Sequence, residues 1–159
     1  MEKRDNPRRR NRDRGFTLVE ILIVVVILGI LAAVAMASFG SSSRDVGDKT
    51  FVSNLRAFAE QFAVYELRNG AWPAEQAAGV TPPEVGLLLD ANNWGAGTPI
   101  GGQWDWDRGV FGVTAALSVV APDRTAAQMV AIDDLIHDGD ITTGRFRNRA
   151  GGYMYVLRD

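Results

Sequence analysis

The sequence predicts an α+β chain: one long amino-terminal helix, half membrane-spanning and half amphipathic, packed on a small antiparallel sheet. Three observations predict it. Phe16 to Phe39 runs 24 residues with Glu20 as its only charge. Phe51, Leu55, Phe58, Phe62 and Tyr65 then recur at spacings of 4, 3, 4 and 3, which is one stripe of a helix. Beyond Asn69-Gly70 the pattern changes to short alternating stretches broken by Gly and Pro, the mark of strands joined by turns.

The opening segment, "MEKRDNPRRRNRDRG", holds seven Lys/Arg and three Asp/Glu, whereas the remaining 144 residues hold ten and sixteen. The basic charge is therefore a tag on one end of a mildly acidic chain. That argues against a nucleic-acid binder, which needs its basic face on the folded part. The chain has no cysteine and one histidine, His137, so a disulfide framework, a thiolate metal site and a multi-histidine metal centre are excluded as well.

At about 1.5 Å per residue, the Phe16–Phe39 stretch spans roughly 36 Å as a helix, enough for a hydrocarbon core of about 30 Å. The basic cluster before it stays cytoplasmic and the rest points outward. Two membrane readings fit. One is a disposable secretory signal, with "ILIVVVILGIL" as its apolar region and "AMA" at Ala35–Ala37 as a small-x-small cleavage site. The other is a retained helix. Glu20 separates them: a carboxylate inside a membrane segment costs on the order of 2–3 kcal/mol near the centre and less at the edge. A disposable signal has no use for it, whereas a retained helix can pair it.

The stretch "RGFTLVE", with its basic leader and apolar run, resembles the prepilin signal of type IV pilins and type II secretion pseudopilins. The resemblance is close over residues 14–36 and general beyond. It implies cleavage between Gly15 and Phe16 by prepilin peptidase, N-methylation of Phe16, and a role for Glu20 in assembly. The chemistry agrees. Cleavage exposes an amine on Phe16 with a pKa of about 8, one helical turn from the Glu20 carboxylate. Pairing the amine of one subunit with Glu20 of a neighbour satisfies both charges as the helix leaves lipid. An unmatched pair leaves a buried charge, a penalty of roughly 3–5 kcal/mol. Gly29 interrupts the apolar run and weakens helix by roughly 1 kcal/mol relative to Ala. The family often has a proline some eight residues later; this chain has Ala37 there.

The helix is expected to continue, bent near Gly40 to Gly47, as far as Asn69, where Asn69-Gly70 and Pro73 stop it. The aromatic stripe is its core face. "YELRNGAWP" resembles the helix exit of pseudopilins. Four segments follow from this: a leader at 1–15, a transmembrane helix at 16–39, its amphipathic continuation at 40–69 and a periplasmic head at 70–159.

In the head, "GVTPPEVGLLLDANNWGAGTPIGG" reads as loop with a short helix around Pro83–Leu89. "QWDWDRGVFGVTAALSVV" reads as a hairpin, with Trp104 and Trp106 on one face, Asp105 and Asp107 on the other, a turn at Asp107-Arg108-Gly109 and a second strand over Val110–Val120. A helix capped by Thr125 carries Met129, Ile132 and Ile136 inward and closes at Asp138-Gly139. "RFRN" and "YMYVLR" flank a turn at Ala150-Gly151-Gly152. The result is three or four antiparallel strands against the stem.

Asp133, Asp134, Asp138 and Asp140 cluster within eight residues. Major pseudopilins have a C-terminal calcium loop, and Asp138 and Asp140 are the candidates for such ligands. Calcium takes about six oxygens, however, and no glutamate closes an EF-hand pattern here. The other reading is a helix end with solvated acids, with His137 on the surface beside it; no cofactor is required. Asp105 and Asp107 sit roughly 6–7 Å apart as residues i and i+2, within the carboxylate separations of glycoside hydrolases. An enzyme is thus a third reading, set against solvated acids on an exposed face.

The sequence therefore predicts a structural subunit of a type II secretion pseudopilus or type IV pilus-like filament, with no catalysis of its own. Its expected partners are other pilin-like subunits, in homo- or hetero-polymers, prepilin peptidase, an inner-membrane assembly platform and membrane lipid. It is expected to cross the inner membrane once, amino terminus in the cytoplasm and head in the periplasm, before joining a filament. The alternative is a secreted binding domain released after Ala37.

Overall fold

The computed structural model describes residues 16–87, 89 and 91–159; within these, the side chains at 37–42, 91 and 92 are outside the description. The leader, Gly15, Leu88 of the expected short helix and the Ala37 side chain fall outside the described residues. The chain divides into two compact units, residues 1–41 and 42–159. Helix α1 (Leu18–Asn69) contributes to both. The division falls after Ser41, within α1.

In the second unit α1 buries Phe51, Leu55, Phe58 and Phe62 completely or nearly so, with Val52 beside them and Tyr65 half-buried. It ends at Asn69 because Gly70 takes a left-handed conformation, φ 70°, and its N–H closes on the Glu66 carbonyl at 2.8 Å. Gly47 sits in the helix for a packing reason: a Cβ there would meet the Pro99 carbonyl oxygen at 3.0 Å.

Against this face lies a four-stranded antiparallel sheet in the order β1-β2-β4-β3, built from β1 (Gln103–Arg108), β2 (Ala115–Val120), β3 (Phe146–Arg149) and β4 (Gly152–Arg158). Trp104 pairs with Val119 and Trp106 with Leu117, so alternation puts both tryptophans on the helix side. Phe51 stacks on Trp104, with ring centres 5.0 Å apart, and Phe62 on Trp106, at 4.1 Å. The stem stripe and the hairpin thus interlock ring on ring, an arrangement that adds about 0.5–1.5 kcal/mol per pair beyond area burial.

Two expectations are corrected. The second strand does not begin at Val110: residues 110–114 form a loop with Phe111 and Gly112 at positive φ, and pairing starts at Ala115. The short helix expected around Pro83–Leu89 is not formed over 83–87, where the chain makes successive turns; a single helical turn, α2 (Ala91–Gly95), follows instead. Two prolines and a glycine hold 82–86 in turns, and α2 forms because it delivers Trp94 into the core between Phe58 and Trp104. Helix α3 (Ala126–Ile136) carries a reciprocal capping box between Thr125 and Gln128 and buries Met129 and Ile132. Polar ties hold the stem to the head: Arg124 pairs with Asp48 at 2.9 Å, Arg158 with Glu66 at 2.9 Å, and Arg56 donates to the Leu135 carbonyl at 2.8 Å.

Candidate functional site

Leu18–Met36 is a helix of 19 residues, long and apolar enough to cross a bilayer, and none of it is buried within the chain. Leucine, isoleucine and valine side chains point outward all round. In water such a surface costs roughly 25 cal/mol per Å², so this helix requires lipid or other helices around it.

The helix starts where its own side chains make it start. Thr17 precedes its first turn, and its Oγ1 accepts the Glu20 amide at 3.2 Å. The Glu20 Oε2 accepts the Thr17 amide in return, at 3.3 Å. This is a capping box, and it satisfies two amides that the first turn leaves without partners. The carboxylate also lies near the positive end of the helix dipole. Glu20 therefore has a local task in addition to any contact beyond the chain. The Thr-x-x-Glu spacing of Thr17 and Glu20 carries this signal, which reading Glu20 only as a pairing acid misses. Phe16, beside the expected cut, is exposed. Gly29 has open space around it: a Cβ there would meet nothing within 4 Å.

The head holds two further sites named from the sequence. Asp105 and Asp107 share a face as expected, but that face is covered. Asp105 is 8 % and Asp107 1 % exposed. Arg149 reaches in from β3: its Nη2 donates to Asp105 Oδ2 at 2.5 Å, and its Nε lies 3.3 Å from Asp107 Oδ2. The Ser118 hydroxyl donates to the same Asp107 oxygen. The Phe111 ring covers the guanidinium, whose carbon lies 4.6 Å from the ring centre. Burial raises both carboxyl pKa values from their ordinary value, and for Asp105 the neighbouring Asp107 charge adds to the rise. The expectation of solvated acids is thus overturned. The pair is a clasp between the two edge strands of the sheet: one oxygen of each acid faces Arg149, that of Asp107 also accepts from Ser118, and Asp105 Oδ1 is buried without a hydrogen-bond partner.

Asp138 and Asp140 hold their own loop. Asp138 Oδ1 accepts the Asp140 amide at 3.1 Å and its Oδ2 lies 3.0 Å from His137 Nδ1. Asp140 accepts the Thr142 amide at 2.9 Å and the hydroxyls of Thr142 and Thr143. These bonds lower both pKa values, the Asp140 amide leading for Asp138 and the Thr142 hydroxyl for Asp140. Among the described residues no three acidic, histidine or cysteine side chains converge as a metal site. The Asp138 and Asp140 oxygens face backbone, hydroxyl and imidazole donors of their own loop.

Asp133 belongs to the same acidic cluster in sequence, yet it is fully buried on α3, and neither carboxylate oxygen has a hydrogen-bond partner. Asp138 and the Gly139 amide lie nearest without closing a well-shaped bond. Burial first, then the Asp138 charge, raises its pKa. A raised folded value means that Asp133 contributes most stability below its unfolded pKa, near 3.8, and that this is lost as pH rises through the folded value. Asp133→Asn keeps the shape and offers N–H donors toward Asp138. It is expected to raise the stability of the head at neutral pH by about 1–3 kcal/mol, the cost of an unpaired buried group. In thermal unfolding of the two proteins across pH, the gap should close in acid.

The family described as the prokaryotic N-terminal methylation motif matches residues 10–36. The type II secretion system core protein G of Dickeya chrysanthemi is 38% identical over 80 residues, covering 46% of this chain and 52% of that protein. That of Pseudomonas aeruginosa is 39% identical over 67 residues, covering 42% and 47%. The type IV major pilin protein PilE1 of Neisseria gonorrhoeae is 42% identical over 74 residues, covering 44% and 33%. The chain spans about half the length of the secretion relatives and a third of the pilin. No solved structure matches. The chain carries the prokaryotic N-terminal methylation motif over residues 10–36 and is similar over part of its length to type II secretion pseudopilins and type IV pilins.

Proposed function

We propose that this chain is a structural subunit of a type II secretion pseudopilus or type IV pilus-like filament. It is inserted in the inner membrane with its head in the periplasm, cut between Gly15 and Phe16 by prepilin peptidase, methylated on Phe16, and drawn by an assembly platform into a polymer with other pilin-like subunits. The observation that carries this reading is the wholly exposed apolar helix that begins, inside the methylation motif, with a carboxylate in its first turn. An exposed apolar cylinder is stable only among lipid tails or other helices, so one surface serves both the membrane-held and the polymerised state. Glu20 supplies the register. Leaving lipid, its carboxylate pairs with the Phe16 amine of a neighbour, and a mismatched docking leaves one charge buried and alone. The head, with a core of its own, coats the helical bundle.

Amino-terminal sequencing and mass measurement of the mature protein test the reading. The expected result is a chain beginning at methylated Phe16. A chain beginning at Ser38 would instead identify a secreted domain released by ordinary signal peptidase and end the filament reading. Gly15→Leu is expected to leave the full-length precursor in the membrane, seen as a larger band on a gel, because a bulky side chain at the scissile bond blocks the peptidase.

A further inference from the structure

The turn that joins β1 to β2, residues 110–113, lies on the outer face of the sheet, away from α1. Its base is closed. The Gly109 amide donates to the Thr114 carbonyl at 3.1 Å, and the Thr114 amide continues the ladder to the Arg158 carbonyl at 3.0 Å. Above that base two side chains fasten it. Val113 is 4 % exposed and packs with Ala116, Met154 and Val156, a cluster separate from the main core. Phe111 lays its ring on the Arg149 guanidinium and is half-exposed.

The second fastening is held against a cost. Phe111 has φ 52°, a left-handed conformation that a bulky residue adopts only when its surroundings impose it. Releasing the ring lets the backbone relax. The cation beneath the ring is fixed, since Arg149 is gripped by Asp105 and Asp107, both more than nine-tenths buried. Opening of 110–113 therefore breaks the small outer cluster and admits water to the two acids, while the aromatic core on the other face stays closed. A segment with so few buried contacts opens below the cost of global unfolding.

We infer that residues 110–113 are a strap, latched by Phe111 on Arg149, that opens independently of the rest of the head, and that the charge on the acid pair beneath it sets how often it opens. Under the closed strap the two acids share one guanidinium in a dry site, which disfavours the second negative charge; under the open strap, water carries it. Besides Arg149 from β3, the ionisable group facing the pair is Glu75, from the segment before β1, and its charge adds to the repulsion. Ser118 of β2 supplies a hydroxyl and no charge. Burial raises the carboxyl pKa values of the closed form. A raised value favours the closed form in acid, and that preference is lost as pH rises through it. Opening therefore increases with pH.

Hydrogen exchange of the full chain in detergent micelles, resolved to single amides and corrected for the intrinsic effect of pH on exchange, tests this. The reporter of the strap is the Val113 amide, bonded to the Val110 carbonyl at 3.1 Å. The ladder amides of β2 and β4 report the rest of the head. Val113 is expected to exchange at least roughly tenfold faster than the ladder amides, and to open more as pH is raised from about 5 to about 8. Phe111→Leu keeps an apolar side chain without the ring and should speed strap exchange by roughly another fivefold. Phe111→Tyr keeps the ring and should match wild type. Asp105→Asn combined with Asp107→Asn should flatten the pH dependence. Ladder amides with wild-type protection show that a variant folds; should the double variant fail to fold, the wild-type pH series and the Leu and Tyr variants still decide. A Val113 amide that exchanges only with the ladder, a Leu variant indistinguishable from wild type, or a corrected opening that does not change with pH overturns the inference.

Discussion

Glu20→Ala is expected to be exported, cut and methylated like the parent chain but to lose at least a hundredfold in incorporation into polymer, as measured from the polymer and membrane fractions. The factor follows from the penalty for an uncompensated charge, about 3 kcal/mol or more, at about 1.4 kcal/mol per tenfold. Without the acid, the Phe16 amine of the neighbour enters an apolar bundle unpaired. The capping box supplies a rival explanation, since Glu20→Ala also removes the bond to the Thr17 amide. Losing a cap costs about 0.5–2 kcal/mol. Glu20→Gln separates the two: its side-chain oxygen still accepts the Thr17 amide, while its charge is gone. Under charge pairing, Gln assembles as poorly as Ala. Normal assembly by the Gln variant would show that Glu20 acts as a cap alone.

The second large effect belongs to the head. Arg149→Met leaves Asp105 and Asp107 buried together without a counter-charge. It is expected to destabilise the head by about 3–5 kcal/mol at neutral pH. Phe111 also loses the cation beneath its ring. The pH dependence identifies the cause. Both acids already have raised pKa values in the folded chain, so their contribution to stability is complete below the unfolded value, near 3.8, and declines as pH rises through the folded value. Removing Arg149 lifts those values further, so the deficit of the variant should shrink as pH falls from about 7 to about 4. Adding Asp105→Asn and Asp107→Asn to Arg149→Met should recover much of the loss at neutral pH. A deficit that stays constant across pH, or persists in the triple variant, would assign the effect to packing of the Arg149 stem instead.

The membrane helix and the stem were legible because their information is local. A nineteen-residue stretch whose one charge is Glu20, and an aromatic stripe at helical spacing, state their surroundings without reference to the rest of the chain. The Thr17–Glu20 box was equally local and was legible in principle. The head was legible in outline, as strands and a capped helix. Its details depend on what meets what. Trp94 joins the core only because Phe58 and Trp104 leave a place for it, and Ala115 begins β2 because the preceding loop folds over the sheet.

The two acid clusters show the limit most plainly. Alternation placed Asp105 and Asp107 on one face but carried no information on whether that face met water. Arg149 lies more than forty positions away in sequence, and only the strand order β1-β2-β4-β3 sets its β-strand at the far edge, where a long side chain can cross to them. Asp133 reads like one more solvated acid beside Asp134, Asp138 and Asp140, yet a turn of helix places it inside. By itself, the sequence determined which segment is apolar and long enough to cross a bilayer and where the one charge in it lies, since hydropathy and spacing along a helix are properties of neighbouring residues. Tertiary structure alone decided which charges of the head are sheltered and which face outward, because burial is set by the distant segment that packs on top.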